Sequence, residues 1–156
     1  MLIVQKYIIL HQIKKMIEIK KFGFDNKPLR EKAFAIRNEV FVIGQNCPKE
    51  LEYESEEESI HFLLLKNNHA VATARYRILN SGIKMERFAV IEKERGHGYG
   101  MMILKEILRD LKDIDKTKYL HAQVQVVDFY KKVGFKKTGK LFEEAGIMHY
   151  KMIYCN

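Results

Sequence analysis

The chain has 156 residues and a composition 47% apolar and 31% charged, which is that of one ordinary domain with a real core and argues against both disorder and a membrane protein. A formal net charge of +8 points to a polyanionic partner such as nucleic acid, a membrane surface or a phosphate-rich cofactor. The only cysteines, Cys47 and Cys155, lack ligand-like spacing to histidine, which argues against a disulfide framework or a zinc site and makes a reducing cytoplasm the expected compartment.

Leu2 to Leu10 is apolar but interrupted by Gln5 and Lys6. It is too short to span a bilayer and lacks a basic leader and a small-residue cleavage site, so no membrane role is expected. Residues 1–15 are read as an N-terminal extension or an added strand, and residues 16–156 as a single domain. Ile17 to Phe22 alternates loosely and is expected to be a strand. After a loop at Gly23, Asp25 and Asn26, Pro28 suits the first turn of a helix, and Leu29, Ala33, Ile36 and Val40 recur at helical spacing up to Gly44. Gln45 to Ser59 is expected to be loop with one short helical turn. It holds Glu50, Glu52, Glu54, Glu56, Glu57 and Glu58, and a solvated face is the default reading of such a run.

Ile60 to Lys66 and Ala70 to Leu79 read as strands joined at Asn67-Asn68, residues that tolerate the left-handed turn of a tight hairpin. Asn80-Ser81-Gly82 leads to a third strand, Ile83 to Ile91, giving an antiparallel meander. The stretch that follows, Arg95-Gly96-His97-Gly98-Tyr99-Gly100, is a glycine-rich turn opening directly into a helix. Unpaired N–H groups and the helix dipole together make such a turn an anion site, and glycine lets a phosphate approach the backbone through positive φ and a missing Cβ. Alone the pattern is weak, because glycine also marks plain turns.

Beyond the turn, Leu104, Ile107, Leu108 and Leu111 form one apolar helix face. Lys118 to Val124 is expected to return parallel to the last meander strand, since a helix makes the crossover. Val126 to Val133 reads as a second, shorter helix stopped by Gly134, and Phe135 to Lys140 and Ile147 to Tyr154 as closing strands around a loop with Glu143, Glu144 and Gly146. The predicted class is α/β (α+β), a mixed, mostly antiparallel sheet flanked by helices.

This order, with Arg-x-x-Gly-x-Gly at Arg95–Gly100 and Phe129-Tyr130-Lys131-Lys132-Val133-Gly134-Phe135 about thirty residues on, resembles the GNAT N-acetyltransferase superfamily from Met16 to Tyr154. Leu120-His121-Ala122-Gln123 and Glu144-Ala145-Gly146-Ile147-x-His149 further resemble its small bacterial ElaA-like and YjcF-like branch. The resemblance implies acetyl-CoA as cosubstrate, no metal, and direct acetyl transfer to an amine. It implies that backbone groups of Phe88, Ala89 and Val90 hold the pantetheine arm, that the N–H of Val90 polarises the thioester carbonyl, and that the N–H groups of Arg95, Gly96, His97, Gly98, Tyr99 and Gly100 hold the pyrophosphate. Tyr130 aligns with the tyrosine that protonates the departing thiolate.

An alkyl amine with a pKa near 10.4 is neutral about once in 2,500 molecules at pH 7, so forming the nucleophile costs roughly 4.6 kcal/mol and a base should help. Glu86 is the preferred base, placed by period two on the face of Phe88 and Val90. The competing reading is a cross-strand pair with Arg75, Arg77 or Arg87. His121 and His149 are weaker candidates. Some carboxylates of Glu50–Glu58 are expected to attract a cationic amine. Two alternatives are an acyl-CoA-binding module without turnover and a basic nucleic-acid binder. The second is disfavoured, because Lys131, Lys132, Lys136, Lys137 and Lys140 cluster where an adenosine 3′-phosphate could use them. A monomer or a homodimer fits equally well.

Overall fold

A computed structural model describes residues 2–155. Its seven strands are β1 (Ile17–Phe22), β2 (Ile60–Lys66), β3 (His69–Leu79), β4 (Gly82–Val90), β5 (Lys118–Gln123), β6 (Phe135–Glu144) and β7 (Ile147–Tyr154), in one sheet of order β1-β2-β3-β4-β5-β7-β6. All neighbours are antiparallel except β4 and β5, which run parallel and pair only at Ile83–Lys118 and Lys84–Tyr119. Beyond those two positions the strands part, and the sheet is open between Met85–Val90 and Leu120–Gln123.

Two helical layers cover the sheet. On one face lies α2 (Lys27–Arg37), started by Asn26, whose side chain accepts from the Leu29 N–H at 3.2 Å, with Pro28 in its first turn. It continues into a π-helical turn, Asn38–Ile43. The other face carries α4 (Tyr99–Asp110), with α5 (Val127–Lys131) close by. The α4 stripe Ile103, Leu104 and Ile107 is fully buried, as are Ala33 and Ile36 of α2. Covered on both sides, β2 reads Phe-Leu-Leu-Leu without alternation, all of it buried. The hairpin at Asn67 and Asn68 forms with φ of 49° and 65° at the two residues, the left-handed pair that turn requires.

Two expectations change. Residues 2–16 form not an added strand but a helix, α1 (Leu2–Met16), running directly into β1. A helix satisfies its own backbone groups without a neighbouring strand, and this stretch contains no Gly or Pro to oppose it. Leu2, Ile3, Val4 and Tyr7 are exposed on it. β6 also runs to Glu144, four residues past the expected end, because the turn closes at Ala145 and Gly146, with φ of 50° and 76°. The short turn predicted within Gln45–Ser59 is α3 (Lys49–Glu52). No described helix is long and apolar enough to cross a membrane.

Candidate active site

The glycine-rich turn has the form its sequence suggested. After β4 a short 3-10 turn, Glu92–Glu94, leads to Arg95, and α4 starts from Gly98 with φ 80° and ψ 10°. No side chain caps α4 and its first turn has no acidic residue, so the N–H groups there are left for an external acceptor. Gly96 and Gly98 both have φ of 80° and open space around them. Glycine is thus required there by the backbone conformation, not by packing. Gly100 differs from the expectation, since its φ is not positive. A Cβ there would lie 3.6 Å from Phe129 and 3.7 Å from Val90, ordinary contacts. Arg95 donates through Nε to the Val90 carbonyl at 3.1 Å, tying the turn to the strand. His97 stacks on Tyr99, whose ring is buried against the core.

The Ile91 N–H donates to Val71 on β3 at 3.0 Å. Strand alternation therefore sends the Val90 N–H to the opposite edge, toward the opening beside β5. Phe88 meets Tyr130 edge-on at 5.9 Å, and Tyr130 also packs against Phe129 and Phe135. Burial pushes the Tyr130 phenol above its ordinary pKa, so it stays protonated at neutral pH. Its hydroxyl makes no hydrogen bond among the described residues, so a largely buried ring carries an unpaired donor beside Phe88.

The preferred base lies elsewhere. Arg75 pairs with Glu86 and Thr73 with Ala89, so β4 spends three steps where β3 spends two. The extra residue is a bulge at Arg87, which has φ of 61°. Glu86 therefore shares its face with Ala89, while Phe88 and Val90 point to the other side. The period-two placement of Glu86 with Phe88 and Val90 fails for that reason. On its own face Glu86 accepts from Arg75 at 2.5 and 2.9 Å and from Arg77 at 2.9 Å. Burial alone would raise its pKa, but Arg75, Arg77 and Lys84 outweigh burial and hold it at about 2. A carboxylate so stabilised is a poor proton acceptor at neutral pH.

The acidic run divides. Glu52 and Glu56 are buried, against the solvated-face expectation, and bind Arg37 at 2.5 Å each. Glu56 also holds Arg75 at 2.7 Å, and Arg87 reaches the Leu51 carbonyl at 2.7 Å and the Glu52 carboxylate at 3.0 Å. These arginines join α2, the segment after it and β3–β4 into one network that the sequence reading missed. The signal was the unusual density of arginine on β3 and β4, at Arg75, Arg77 and Arg87. Glu50, Glu54, Glu57 and Glu58 remain exposed.

His121 and His149 come together on the same face as Glu86. Register places Tyr119, His121 and Gln123 of β5 beside Ile153, Lys151 and His149 of β7. The His121 Nδ1 lies 3.3 Å from Glu144 Oε1, and the Phe142 ring packs edge-on to His121 and stacks with His149. His149 bonds through Nδ1 to its own strand at the Ile147 carbonyl, 2.7 Å away. Gln123 exchanges hydrogen bonds of 2.9 and 3.2 Å with Gln45, crossing the opening on this side. A separate cleft of about 530 Å³ lies at the far end of α4, lined by Lys105, Lys112, Lys116 and Lys118. Cations are favoured there by the helix carbonyl end, and it is remote from the glycine-rich turn.

Residues 25–155 match the acetyltransferase (GNAT) domain family. The N-acetyltransferase YjcF of Bacillus subtilis is 37% identical over 131 residues, covering 82% of this chain and 94% of YjcF. The crystal structure of Escherichia coli ElaA superposes with a TM-score of 0.80 at 27% identity, over 88% of this chain and 99% of ElaA. A GNAT acetyltransferase of Elizabethkingia anophelis with acetyl-CoA bound shares the fold, with a TM-score of 0.63 at 18% identity over 88% and 94% of the two chains.

Proposed function

The chain belongs to the GNAT acetyltransferase family, and on that premise we propose that it transfers the acetyl group of acetyl-CoA directly to a primary amine, both bound at once. The observation that carries this reading is the parted β4–β5 edge, with an uncapped α4 start at one end and the unhydrogen-bonded Tyr130 hydroxyl beside it. The N–H groups of Gly96–Gly100 hold the pyrophosphate, that of Arg95 being already bonded to the Glu92 carbonyl at 3.1 Å. The open edge at Phe88 and Val90 pairs with the pantetheine amides as a missing strand would, while Ala89 pairs with Thr73 of β3. The Val90 N–H accepts the charge that develops on the thioester oxygen.

Direct attack by the amine needs no nucleophilic residue, and positioning supplies much of the rate. Exposed Cys155 and the loop residue Cys47 have no part in it. Tyr130 acts on the departing sulfur. A thiol ordinarily has a pKa near 8.5, below that of the buried phenol. Tyr130 therefore stabilises the thiolate mainly by donating a hydrogen bond, and passes on a proton as the amide product loses its own.

Thiol release from acetyl-CoA across a panel of primary amines tests the reading, with Tyr130→Phe beside the wild type. Turnover on at least one amine, with kcat lowered in the variant and acetyl-CoA affinity retained, is expected. Tight acetyl-CoA binding by calorimetry with no thiol release on any amine would favour a binding module instead.

A further inference from the structure

We propose that His121, held by Glu144, is the base that takes the proton from the ammonium form of the acceptor; this rests on the acetyl-transfer reading above. The position comes from the sheet. The last β4–β5 pair is Lys84–Tyr119, and two residues further along each strand stand Glu86 and His121, on one face and on opposite sides of the opening. Glu86 is closed off by Arg75 and Arg77, whereas the His121 side chain is 22% exposed and the Glu144 side chain 46% exposed.

The tautomer follows from the partner. The hydrogen bond from His121 holds the Glu144 carboxyl below its ordinary pKa, with Lys84 and His149 acting in the same direction. An ionised carboxylate only accepts. Nδ1 therefore carries the hydrogen, and Nε2 keeps the lone pair. Glu144 both fixes the ring and stabilises the imidazolium once Nε2 is protonated, while Phe142 packs edge-on to the ring at 4.8 Å. The other charged or titratable groups facing the pair are Lys84 from β4, Tyr119 from β5, and His149 and Lys151 from β7. Lys84 and Lys151 are engaged with Glu86 and with the Tyr119 ring. Imidazole is the side-chain type that exchanges protons nearest neutral pH.

The proton balance is complete. His121 Nε2 takes one proton from R–NH3+ and returns it to solvent. The neutral nitrogen attacks the acetyl carbon, the C–S bond breaks, and the nitrogen's second proton ends on sulfur by way of Tyr130. Glu144 does not touch the amine and is a positioning residue.

The test is the pH profile of kcat/KM for a productive amine, measured from pH 6 to 10 on the full chain, with acetyl-CoA affinity by calorimetry as a control on folding. His121→Asn, which can still donate toward Glu144, is expected to lower kcat/KM at pH 7 by about 100-fold. The loss should shrink about tenfold per pH unit as the amine deprotonates on its own. Glu144→Gln should cost about tenfold at pH 7 and move the acidic limb of the profile, with acetyl-CoA affinity within about twofold. A His121→Asn profile that matches the wild type, or a loss that is constant with pH, overturns the assignment while leaving acetyl transfer intact. A wild-type protein that binds acetyl-CoA and acetylates no amine overturns both.

Discussion

The two faces of the sheet at the β4–β5 opening are built by different physics. Toward α4 and α5, the surroundings are apolar rings and backbone groups: Phe88, Phe129, Tyr130 and Phe135, with the uncapped first turn of α4 at the end. Toward α2, the surroundings are buried charge: Arg75 and Glu86 on the strands, Arg37 on α2, and Glu52 and Glu56 in the segment after it, with half-buried Arg77 beside them. A cofactor of constant chemistry can be held by main-chain groups, which any residue supplies. The α2 side, where His121 and the proposed acceptor lie, must instead keep a loop-rich wall in place, and buried ion pairs fix its geometry because each partner is costly to leave alone.

The strongest way to break this contrast is in the charged half. Arg75→Met leaves Glu86 and Glu56 buried without a main partner and should lower stability by about 3–5 kcal/mol, read from urea unfolding. The pH dependence has a definite sign. With a folded pKa of about 2 against an ordinary 4.5, Glu86 contributes stability that is present above pH 4.5 and is lost as pH falls from there toward 2. The loss should be on the order of 3 kcal/mol, and Glu86→Gln should flatten that part of a denaturation-versus-pH curve.

Smaller effects sharpen the apolar half. Tyr130→Phe removes one hydrogen bond to a developing charge, worth about 1.5–3 kcal/mol, so kcat should fall about 10- to 100-fold. Gly98→Ala forces a side chain into a left-handed position at a cost of about 1–2 kcal/mol, and acetyl-CoA Kd by calorimetry should rise about tenfold. The smallest effect belongs to the exposed acids. Glu54→Gln with Glu57→Gln should raise the KM for a cationic amine by no more than about twofold, and only at low salt.

How legible each half was follows from the same difference. The elements from Ile17 to Tyr154 could be read because periodicity, Asn67-Asn68 and the glycines are local signals. The glycine-rich turn at Arg95–Gly100 was legible for the same reason, since its conformation is set by contiguous residues. Glu86 was misplaced because alternation assumes an unbroken strand, and nothing about Arg87 as a residue type announces a positive φ. Glu52 and Glu56 were read as solvated because their partners Arg37 and Arg75 are 15 and 19 residues away. The bond between His121 and Glu144 spans 23 residues and depends on a hairpin that extends further than its sequence implied. α1 was unreadable as a helix because its apolar residues follow no clear period.

The bulge at Arg87 has an evolutionary corollary. It acts as a phase marker: upstream of it, even-numbered residues of β4 look toward the α2 side, and downstream they look toward the α4 side. Substitutions within β4 change the wall of one compartment at a time. Insertion or loss of a single residue would exchange the two compartments' side chains along half the strand. Among relatives of this fold, β4 should therefore drift in composition while keeping its length, and acceptor preference should be compared by counting residues from the bulge and not from the glycine-rich turn.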